Sequence, residues 1–309
     1  MVMKSGERSD PSRTSPAVEG DIAIAYDTFG DAADPPVLLI MGLGAQLLSW
    51  QEDFCRQLAD RSLFVVRFDN RDVGLSSHLH DVPLPDLAAI QRGDFATIPY
   101  TLSDMASDTV RLMEALGLSS AHLVGASMGG MIGQVLAIEH PDRVRSLTSI
   151  MSTTGDPDVG QATAEAFAQL TQPPARTREE VMDRRVQSHR VTGSPDFPTS
   201  EAELRDRAGR AFDRNFDPSG GVRQFAATIA SPDRTDDLVR VQVPTLVIHG
   251  ADDPLIQVSG GRATAAAIPD ADLLVINGMG HDIPRQLWPE VVGRISTHIE
   301  NAERRYQPA

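Results

Sequence analysis

The sequence predicts an α/β protein with a mostly parallel central sheet, flanking helices and an inserted helical cap. Short runs of β-branched and leucine residues recur along the chain, and continuous apolar runs are typical of strands that are buried on both faces. Segments with helical apolar spacing separate most of these runs, and this alternation is typical of a parallel sheet covered by helices. The alternation stops between residues 152 and 236, where prolines separate helix-like segments and no buried strand is predicted.

The predicted strands and helices follow from these patterns in chain order. The first strand, residues 21–27, alternates isoleucine or tyrosine with smaller or polar residues, so we expect an antiparallel edge strand. The continuous apolar runs predict buried strands over residues 37–41, 63–68, 121–124, 147–151, 245–248 and 273–276. Core helices are predicted over residues 50–60, 102–116, 128–140, 259–267 and 287–301.

The chain divides into a tail, two parts of an α/β core and a cap. Residues 1–17 are rich in serine, proline and charge and lack the apolar stretch of a signal peptide, so we predict a disordered tail. Residues 18–151 and 237–309 are the two parts of the core, and residues 152–236 are the cap. Helices within the cap are predicted over residues 165–170, 179–189, 201–212 and 222–229. We expect the large apolar residues of the cap to pack mostly against the core, although they are also candidates for a pocket roof: Phe167, Met182, Phe212, Phe216 and Phe225.

Composition argues against several classes of partner. The formal net charge is −15 and basic residues do not cluster, which argues against binding to nucleic acid or to an anionic membrane surface. The longest apolar region, residues 37–48, is interrupted by glycine and glutamine and is too short to span a bilayer. The single cysteine, Cys55, lies in an amphipathic segment, where a buried thiol is expected rather than a nucleophile. We expect a cytoplasmic protein with no nucleic-acid or membrane partner, and the sequence leaves the oligomeric state open.

A serine flanked by glycines is the main candidate for catalysis. Ser127 follows a predicted strand and precedes a predicted helix, with Gly125 and Gly129 two residues away on either side. A sharp turn from strand to helix brings backbone to positions where a Cβ atom would clash, and glycine avoids that clash. Ala126 and Gly130 leave further room around the same turn. Because such a turn exposes the serine hydroxyl at the top of the sheet, Ser127 is predicted to be a nucleophile.

A serine nucleophile needs a base and a carboxylate that orients the base. Both are expected in loops at the carboxyl ends of strands, where doubly wound sheets place their sites. His281 lies in such a loop, and His249, at the end of the preceding strand, is its only serious competitor. Asp252 and Asp253 follow His249, and the residues alone favour neither of these acids. The chain order of serine, aspartate and histidine matches that of hydrolases with a nucleophile elbow.

Two backbone N–H groups are predicted to bind the negative charge that develops on the reacting oxygen. One belongs to Met128, the first residue of the helix after the turn. The other belongs to Leu43, in a loop where Gly42 and Gly44 allow the amides to turn inward. No metal-binding motif accompanies these residues, so we expect a site without metal or cofactor.

Several motifs together resemble the α/β-hydrolase family from about residue 18 to residue 299. The resemblance implies that the catalytic acid directly precedes Pro254, which selects Asp253, and that the turn over residues 69–76 is structural. Met41-Gly42 stands where many relatives have His-Gly, and this variant is similar to microbial carboxylesterases and the aclacinomycin methylesterases. Ser127 argues against the dehalogenase and epoxide hydrolase branches, which use an aspartate nucleophile. The motifs lie at residues 67–76, 125–130, 140–144, 243–254 and 278–281.

These features predict a carboxylic ester hydrolase that acts on small to medium apolar esters, its small-molecule partners, through a covalent acyl-enzyme. Because His281 must be neutral to accept a proton, activity is expected to rise with pH as the imidazole deprotonates. The same residues would also serve thioester, lactone or carbon–carbon bond hydrolysis or perhydrolysis, and the sequence does not separate these reactions. The alternative from a different class is a hydrolase-fold ligand-binding protein with slow turnover.

Overall fold

A computed structural model of the protein describes residues 22–305, so the tail predicted over residues 1–17 lies outside the described residues. Its strands are β1 (Tyr26–Phe29), β2 (Pro36–Ile40), β3 (Phe64–Phe68), β4 (Ala121–Ala126), β5 (Val144–Ile150), β6 (Thr245–Gly250) and β7 (Asp272–Ile276). They form one seven-stranded sheet in the order β1-β3-β2-β4-β5-β6-β7. Every neighbouring pair is parallel except β1 with β3. The prediction of an α/β protein with a mostly parallel sheet is confirmed.

Helices connect most of the strands and cover both faces of the sheet. They are α1 (Glu52–Ala59), α2 (Leu87–Gln91), α3 (Leu102–Ala115), α4 (Met128–Glu139), α5 (Ala164–Leu170), α6 (Arg178–Thr192), α7 (Glu201–Arg214), α8 (Pro218–Ala230), α9 (Thr235–Leu238), α10 (Val258–Ala267) and α11 (Trp288–Glu303). Within residues 22–305, no helix combines the length and apolar character that a membrane span requires.

A separate hydrophobic cluster packs on each face of the sheet. In β2, Leu38 and Ile40 lie in one cluster, whereas Val37 and Leu39 lie in the other, as the alternation of side chains along a strand requires. Helices α3 and α4 contribute to the first cluster, and α1 and α11 contribute to the second. Burial on both faces explains why the central strands read as continuous apolar runs.

The first strand begins later than predicted. β1 is antiparallel and lies at the sheet edge, as expected, but it covers Tyr26–Phe29 rather than residues 21–27. Ala23 and Ala25 instead donate their N–H groups to the hydroxyl oxygens of Ser77 and Ser76, each over 2.9 Å. A loop therefore supplies the hydrogen bonds that a strand neighbour would otherwise supply.

The last strand is less buried than its apolar run predicts. β7 ends the sheet, and only Ile276 at its carboxyl end is buried, whereas Leu273 is 39% exposed. The expectation that every continuous apolar strand is buried on both faces is wrong here, because an edge strand lacks the full helical cover of the central strands.

The segment between β5 and β6 contains helices α5 to α9 and, among the described residues, no strand. Helices α5 to α8 lie where helices were predicted, and α9 crosses the predicted boundary at residue 236. A buried ion pair attaches the segment to the core: Arg223 on α8 donates two hydrogen bonds of 2.8 Å to the carboxylate of Asp72.

Candidate active site

Ser127 occupies a strained turn between β4 and α4. Its backbone has φ 56° and ψ −120°, a region that residues with a Cβ atom rarely adopt. The surrounding structure holds this conformation: the Ser127 N–H donates to the carbonyl of Ile150 over 2.9 Å, and the Ser152 hydroxyl donates to the Ser127 carbonyl over 2.9 Å. Strain of this kind concentrates at functional sites, where the fold over-determines a costly conformation.

The glycines on either side of Ser127 are sterically required. A Cβ atom on Gly125 would lie 2.2 Å from the carbonyl oxygen of Gly129. A Cβ atom on Gly129 would lie 2.1 Å from the carbonyl oxygen of Ile40, at the end of β2. Both distances are far below van der Waals contact. The glycines therefore allow the turn to close and α4 to approach β2.

His281 reaches both Ser127 and an acid. Its Nε2 atom lies 3.0 Å from the Ser127 Oγ atom, and its Nδ1 atom lies 2.7 Å from the Oδ2 atom of Asp253. The loop that carries His281 is held by the last residue of α6 and by Ser194, two residues beyond the helix. The His281 N–H donates to the carbonyl of Thr192 over 2.7 Å, and the Gly280 N–H donates to the Ser194 hydroxyl over 2.9 Å.

The two adjacent acids have separate environments. The Asp253 Oδ1 atom accepts hydrogen bonds from the backbone N–H groups of Leu255 and Ile256 over 2.9 and 3.0 Å, which leaves Oδ2 directed at His281. Asp252 instead accepts a hydrogen bond of 2.8 Å from the Gly278 N–H, so it supports the loop before His281. The structure therefore distinguishes two carboxylates that the residue pattern alone leaves equivalent.

Asp253 is held as a carboxylate. Burial alone would raise its pKa, but attraction to His281, the proximity of His249 and the N–H of Ile256 outweigh burial, so the pKa of Asp253 lies well below the usual range of a carboxyl group. A permanently ionised Asp253 favours the imidazole tautomer that carries its proton on Nδ1 and leaves Nε2 free to accept a proton from Ser127.

The competing residues have other contacts. His249 lies behind Asp253, 3.6 Å from its Oδ2 atom, and its Nε2 atom donates to the Ile256 carbonyl over 2.7 Å. Cys55 is buried with its Sγ atom 3.6 Å from the Trp50 carbonyl oxygen, and burial raises the pKa of its thiol to about 12. Neither environment suits a residue that attacks a substrate or takes its proton.

The loop after β2 lies directly against Ser127. A Cβ atom on Gly42 would lie 3.1 Å from the Ser127 Cβ atom and 3.6 Å from its Oγ atom. Within the described part of the chain, the N–H groups of Leu43 and Met128 donate no hydrogen bond to a protein acceptor. Both residues line the same cavity as Ser127, and the first N–H groups of a helix have no acceptor within the helix.

Two side chains that sequence reasoning missed hold this loop in place. Asn70 donates from Nδ2 to the Met41 carbonyl over 2.9 Å. Gln224, buried on α8, accepts from the Gly44 N–H over 2.8 Å and donates to the Arg71 carbonyl over 2.7 Å. Asn70 lies in the turn that resembles a structural motif, but no local pattern identifies Gln224, since it meets a loop far away in the sequence.

A cavity of about 430 Å³ opens beside Ser127 and His281. The core supplies mainly apolar side chains to its wall, and the rest comes from helices α5 to α8 and from the loop before α5. Of the large apolar residues considered for a pocket roof, Phe225 lines the cavity. Phe212 and Phe216 pack against each other with ring centroids 4.6 Å apart, and Phe167 is exposed. Helices α6 to α8 also place polar side chains at the cavity: Arg185, Ser188, Thr192, Arg207 and Thr228.

Two other features lie apart from this cavity. A larger cavity of about 630 Å³ lies between the ends of α4, α9 and α11 and contains none of the predicted site residues. In the described residues, His78, His80 and Asp217 form a group whose potential metal-binding atoms lie within 4.8 Å of one another. His78 Nδ1 is 2.8 Å from the Asp217 carboxylate, where the turn after β3 meets the start of α8. This group does not include a predicted catalytic residue.

The sheet order, the strained turn and the hydrogen bonds that meet at Ser127 define an α/β protein of a familiar hydrolase type. A family model described as alpha/beta hydrolase fold matches residues 35–284. The chain belongs to this family, and the resemblance inferred from the sequence motifs is confirmed.

Two relatives match most of the chain. Rhodomycin D methylesterase DauP of Streptomyces sp. (strain C5) is 30% identical over 305 residues, which cover 91% of this chain and 96% of that protein. The 3-oxoadipate enol-lactonase 2 of Acinetobacter baylyi is 29% identical over 258 residues, which cover 83% of this chain and 85% of that protein.

Solved structures share the fold at lower identity. The enol-lactonase of Burkholderia xenovorans LB400 has a TM-score of 0.68 and 22% identity, with 90% of this chain and 97% of that chain covered. The 2-hydroxy-6-oxo-6-phenylhexa-2,4-dienoate hydrolase of Rhodococcus sp. strain RHA1 has a TM-score of 0.71 and 21% identity, with 93% and 98% covered. The predicted α/β-hydrolase fold is thereby confirmed.

Proposed function

We propose that the protein is a carboxylic ester hydrolase that works through a covalent acyl-enzyme on Ser127. The observation that carries this proposal is the continuous chain of hydrogen bonds from Ser127 through His281 to Asp253. The similarity to a methylesterase and to an enol-lactonase supports ester chemistry, since a lactone is a cyclic ester.

In the first step, the Ser127 Oγ atom attacks the ester carbonyl carbon while His281 Nε2 accepts the hydroxyl proton. The separation of 3.0 Å between these atoms is within hydrogen-bond reach for such a transfer. Asp253 stays ionised, holds the imidazole in its working tautomer and stabilises the imidazolium that forms.

The tetrahedral intermediate carries a negative charge on the former carbonyl oxygen. We assign its stabilisation to the N–H groups of Leu43 and Met128, which donate no hydrogen bond to protein atoms in the described residues and line the cavity beside Ser127. Collapse of the intermediate releases the alcohol, which takes the proton from His281. Water then attacks the acyl-enzyme carbonyl carbon while His281 accepts its proton. The second tetrahedral intermediate breaks its bond to the Ser127 Oγ atom, which takes the proton back from His281, and the carboxylic acid leaves.

In this proposal the helical segment, residues 152–236, is a cap that closes the substrate cavity. Phe225 and Leu170 from its helices line the cavity opposite the apolar core side chains. An enclosed apolar wall excludes water and strengthens the electrostatic interactions that stabilise the intermediate.

The test is a chain-length series of nitrophenyl esters with the wild type and Ser127→Ala. The wild type is expected to turn over repeatedly, and kcat of the variant is expected to fall by about 10⁴- to 10⁶-fold. Wild-type turnover in the variant would contradict the proposal. A single stoichiometric burst without further turnover in the wild type would instead favour a ligand-binding role.

A further inference from the structure

Two arginines of the helical segment line the cavity that contains Ser127. Arg185 lies on α6 and Arg207 lies on α7. Ser188 and Thr192, three and seven residues after Arg185, line the same cavity, so one face of α6 is directed at it. Arg185 thus lies on the face of α6 that lines the cavity.

Neither guanidinium has a strong partner in the described part of the chain. Among residues 22–305, Arg185 makes no hydrogen bond or ion pair. The carboxylate near Arg207 is that of Glu203, at 3.8 Å, and Glu203 also accepts a hydrogen bond of 3.1 Å from Arg285. Glu203 is therefore shared and neutralises Arg207 only in part.

The environment penalises both charges. Burial lowers the pKa of Arg185, and burial together with repulsion from Arg185 lowers the pKa of Arg207. Because a guanidinium keeps its proton in proteins, these groups remain charged and the cost persists. Charges that lose part of their contact with water are normally paired in folded proteins, so a partly buried arginine without a carboxylate partner among residues 22–305 points to an anion from the substrate.

The single carboxylate among the described cavity-lining residues is already engaged. Asp282 attracts both arginines, but its Oδ1 atom accepts hydrogen bonds from the N–H and hydroxyl of Ser194 over 3.0 and 2.5 Å. Its Oδ2 atom lies 3.8 Å from Nδ1 of His189, whose pKa is lowered by burial, so that imidazole is neutral near pH 7. Among the described residues that line the cavity, two guanidinium groups thus face one carboxylate, and Glu203 compensates Arg207 only in part.

We propose that Arg185 and Arg207 bind a carboxylate of the substrate, so that the substrate is an ester that carries a free carboxylate at some distance from its ester group. This inference rests on the proposed function of Ser127 and replaces the expected apolar ester by an anionic one. Asp282 and Glu203 leave part of the positive charge of the two arginines uncompensated, and a singly charged carboxylate of the substrate would balance it. Guanidinium forks also match the planar geometry of a carboxylate.

The other residues that line the cavity indicate what kind of chain connects the ester group and the carboxylate of the substrate. Large apolar side chains dominate it, including Met131, Met151, Phe225 and Leu255. A chain of methylene groups between ester and carboxylate would bury its surface against these side chains, while the carboxylate pairs with the arginines. The proposed substrate class is therefore the monoester of a dicarboxylic acid.

The test compares monomethyl esters of straight-chain dicarboxylic acids, from succinate to suberate, with the matched neutral dimethyl esters. At the preferred chain length, the wild type is expected to have a kcat/KM at least about tenfold higher for the monoester, mainly through a lower KM. In Arg185→Gln and in Arg207→Gln, the ratio of monoester to diester kcat/KM is expected to fall by about 10- to 100-fold. Arg210→Gln is the control, since Arg210 is exposed one turn further along α7 and pairs with Asp206 at 3.1 Å; it should keep the wild-type ratio.

Binding without turnover separates this inference from the catalytic proposal. Calorimetry with Ser127→Ala is expected to show that the monoester binds more tightly than the diester and that adding Arg185→Gln abolishes this difference. Equal kcat/KM values for both ester types in the wild type, or an unchanged ratio in both arginine variants, would overturn the carboxylate site while leaving ester hydrolysis intact. Tight monoester binding by a wild type that hydrolyses neither this series nor nitrophenyl esters would keep the site and overturn the proposed function.

Discussion

The carboxyl edge of the sheet and the helical segment over residues 152–236 both build the cavity, but they are specified in different ways. At the sheet edge, Ser127, Asp253 and His281 each follow a strand within a short motif, and a parallel sheet brings such loops together. In the helical segment, Arg223 and Gln224 instead make hydrogen bonds with residues more than 150 positions earlier in the chain. Short local motifs therefore specify the proposed catalytic residues, whereas the contacts of the helical segment with the core and the cavity depend on tertiary packing.

Replacing either of two adjacent acids provides the largest contrast at the sheet edge. In Asp253→Asn the amide cannot hold His281 in its working tautomer, so kcat is expected to fall by about 10⁴-fold. In Asp252→Asn the hydrogen bond from the Gly278 N–H has an amide oxygen as a replacement acceptor, and kcat is expected to fall by less than about tenfold. Steady-state kinetics with a nitrophenyl ester distinguishes the two variants. Equal losses of kcat would mean that activity depends on the conformation of the loop and not on the carboxylate of Asp253.

The attachment of the helical segment is tested by its buried ion pair. Arg223→Met leaves the carboxylate of Asp72 buried without its partner, and the free energy of unfolding is expected to fall by about 3–5 kcal/mol. Arg178→Met is the matched control, because Arg178 also makes two hydrogen bonds to one carboxylate, that of Asp213, but at an exposed position. Denaturant unfolding should show a much smaller change for this control. Similar changes in both variants would show that burial does not set the strength of these pairs.

A smaller effect is expected where the segment supports the loop after β2, which is proposed to supply the Leu43 N–H group. Gln224→Ala removes the acceptor for the Gly44 N–H, so the loop that carries Leu43 loses one of its anchors. We expect kcat to fall roughly tenfold with little change in KM, less than the about 10²- to 10³-fold that loss of a whole oxyanion donor costs. Gln187→Ala, an exposed glutamine on α6, serves as the control and should match the wild type. A change in KM alone in Gln224→Ala would point to substrate binding instead.

Much of the core can be predicted because short, local residue patterns identify its elements. Continuous apolar runs identify the central strands. The glycines around Ser127 predict a sharp turn, because only glycine fits where the backbone approaches so closely. The sequence predicts the edge strands less well, because the bounds of β1 depend on hydrogen bonds that the Ser76 and Ser77 hydroxyl oxygens accept, and the exposure of β7 depends on what covers it. Both are properties of the assembled fold.

The helical segment shows where sequence reasoning stops. Its helices were predicted from periodicity, but α6 contains several arginines, and nothing in their spacing separates Arg185, which lines the cavity, from the exposed Arg190. Gln224 and Arg223 are adjacent on α8, yet one holds a loop and the other an ion pair. The packing of the segment on the core determines which partner each side chain meets. The residue pattern within the segment alone does not predict that packing.

The central claim is that Ser127, activated by His281, forms a covalent bond to the substrate. The most direct measurement is the identity of the residue that a fluorophosphonate reagent labels, determined by peptide mass. We expect one adduct per chain on the peptide that contains Ser127, none in Ser127→Ala and a strongly slowed reaction in His281→Ala. An adduct on another residue, or the same labelling rate in His281→Ala, would contradict the account.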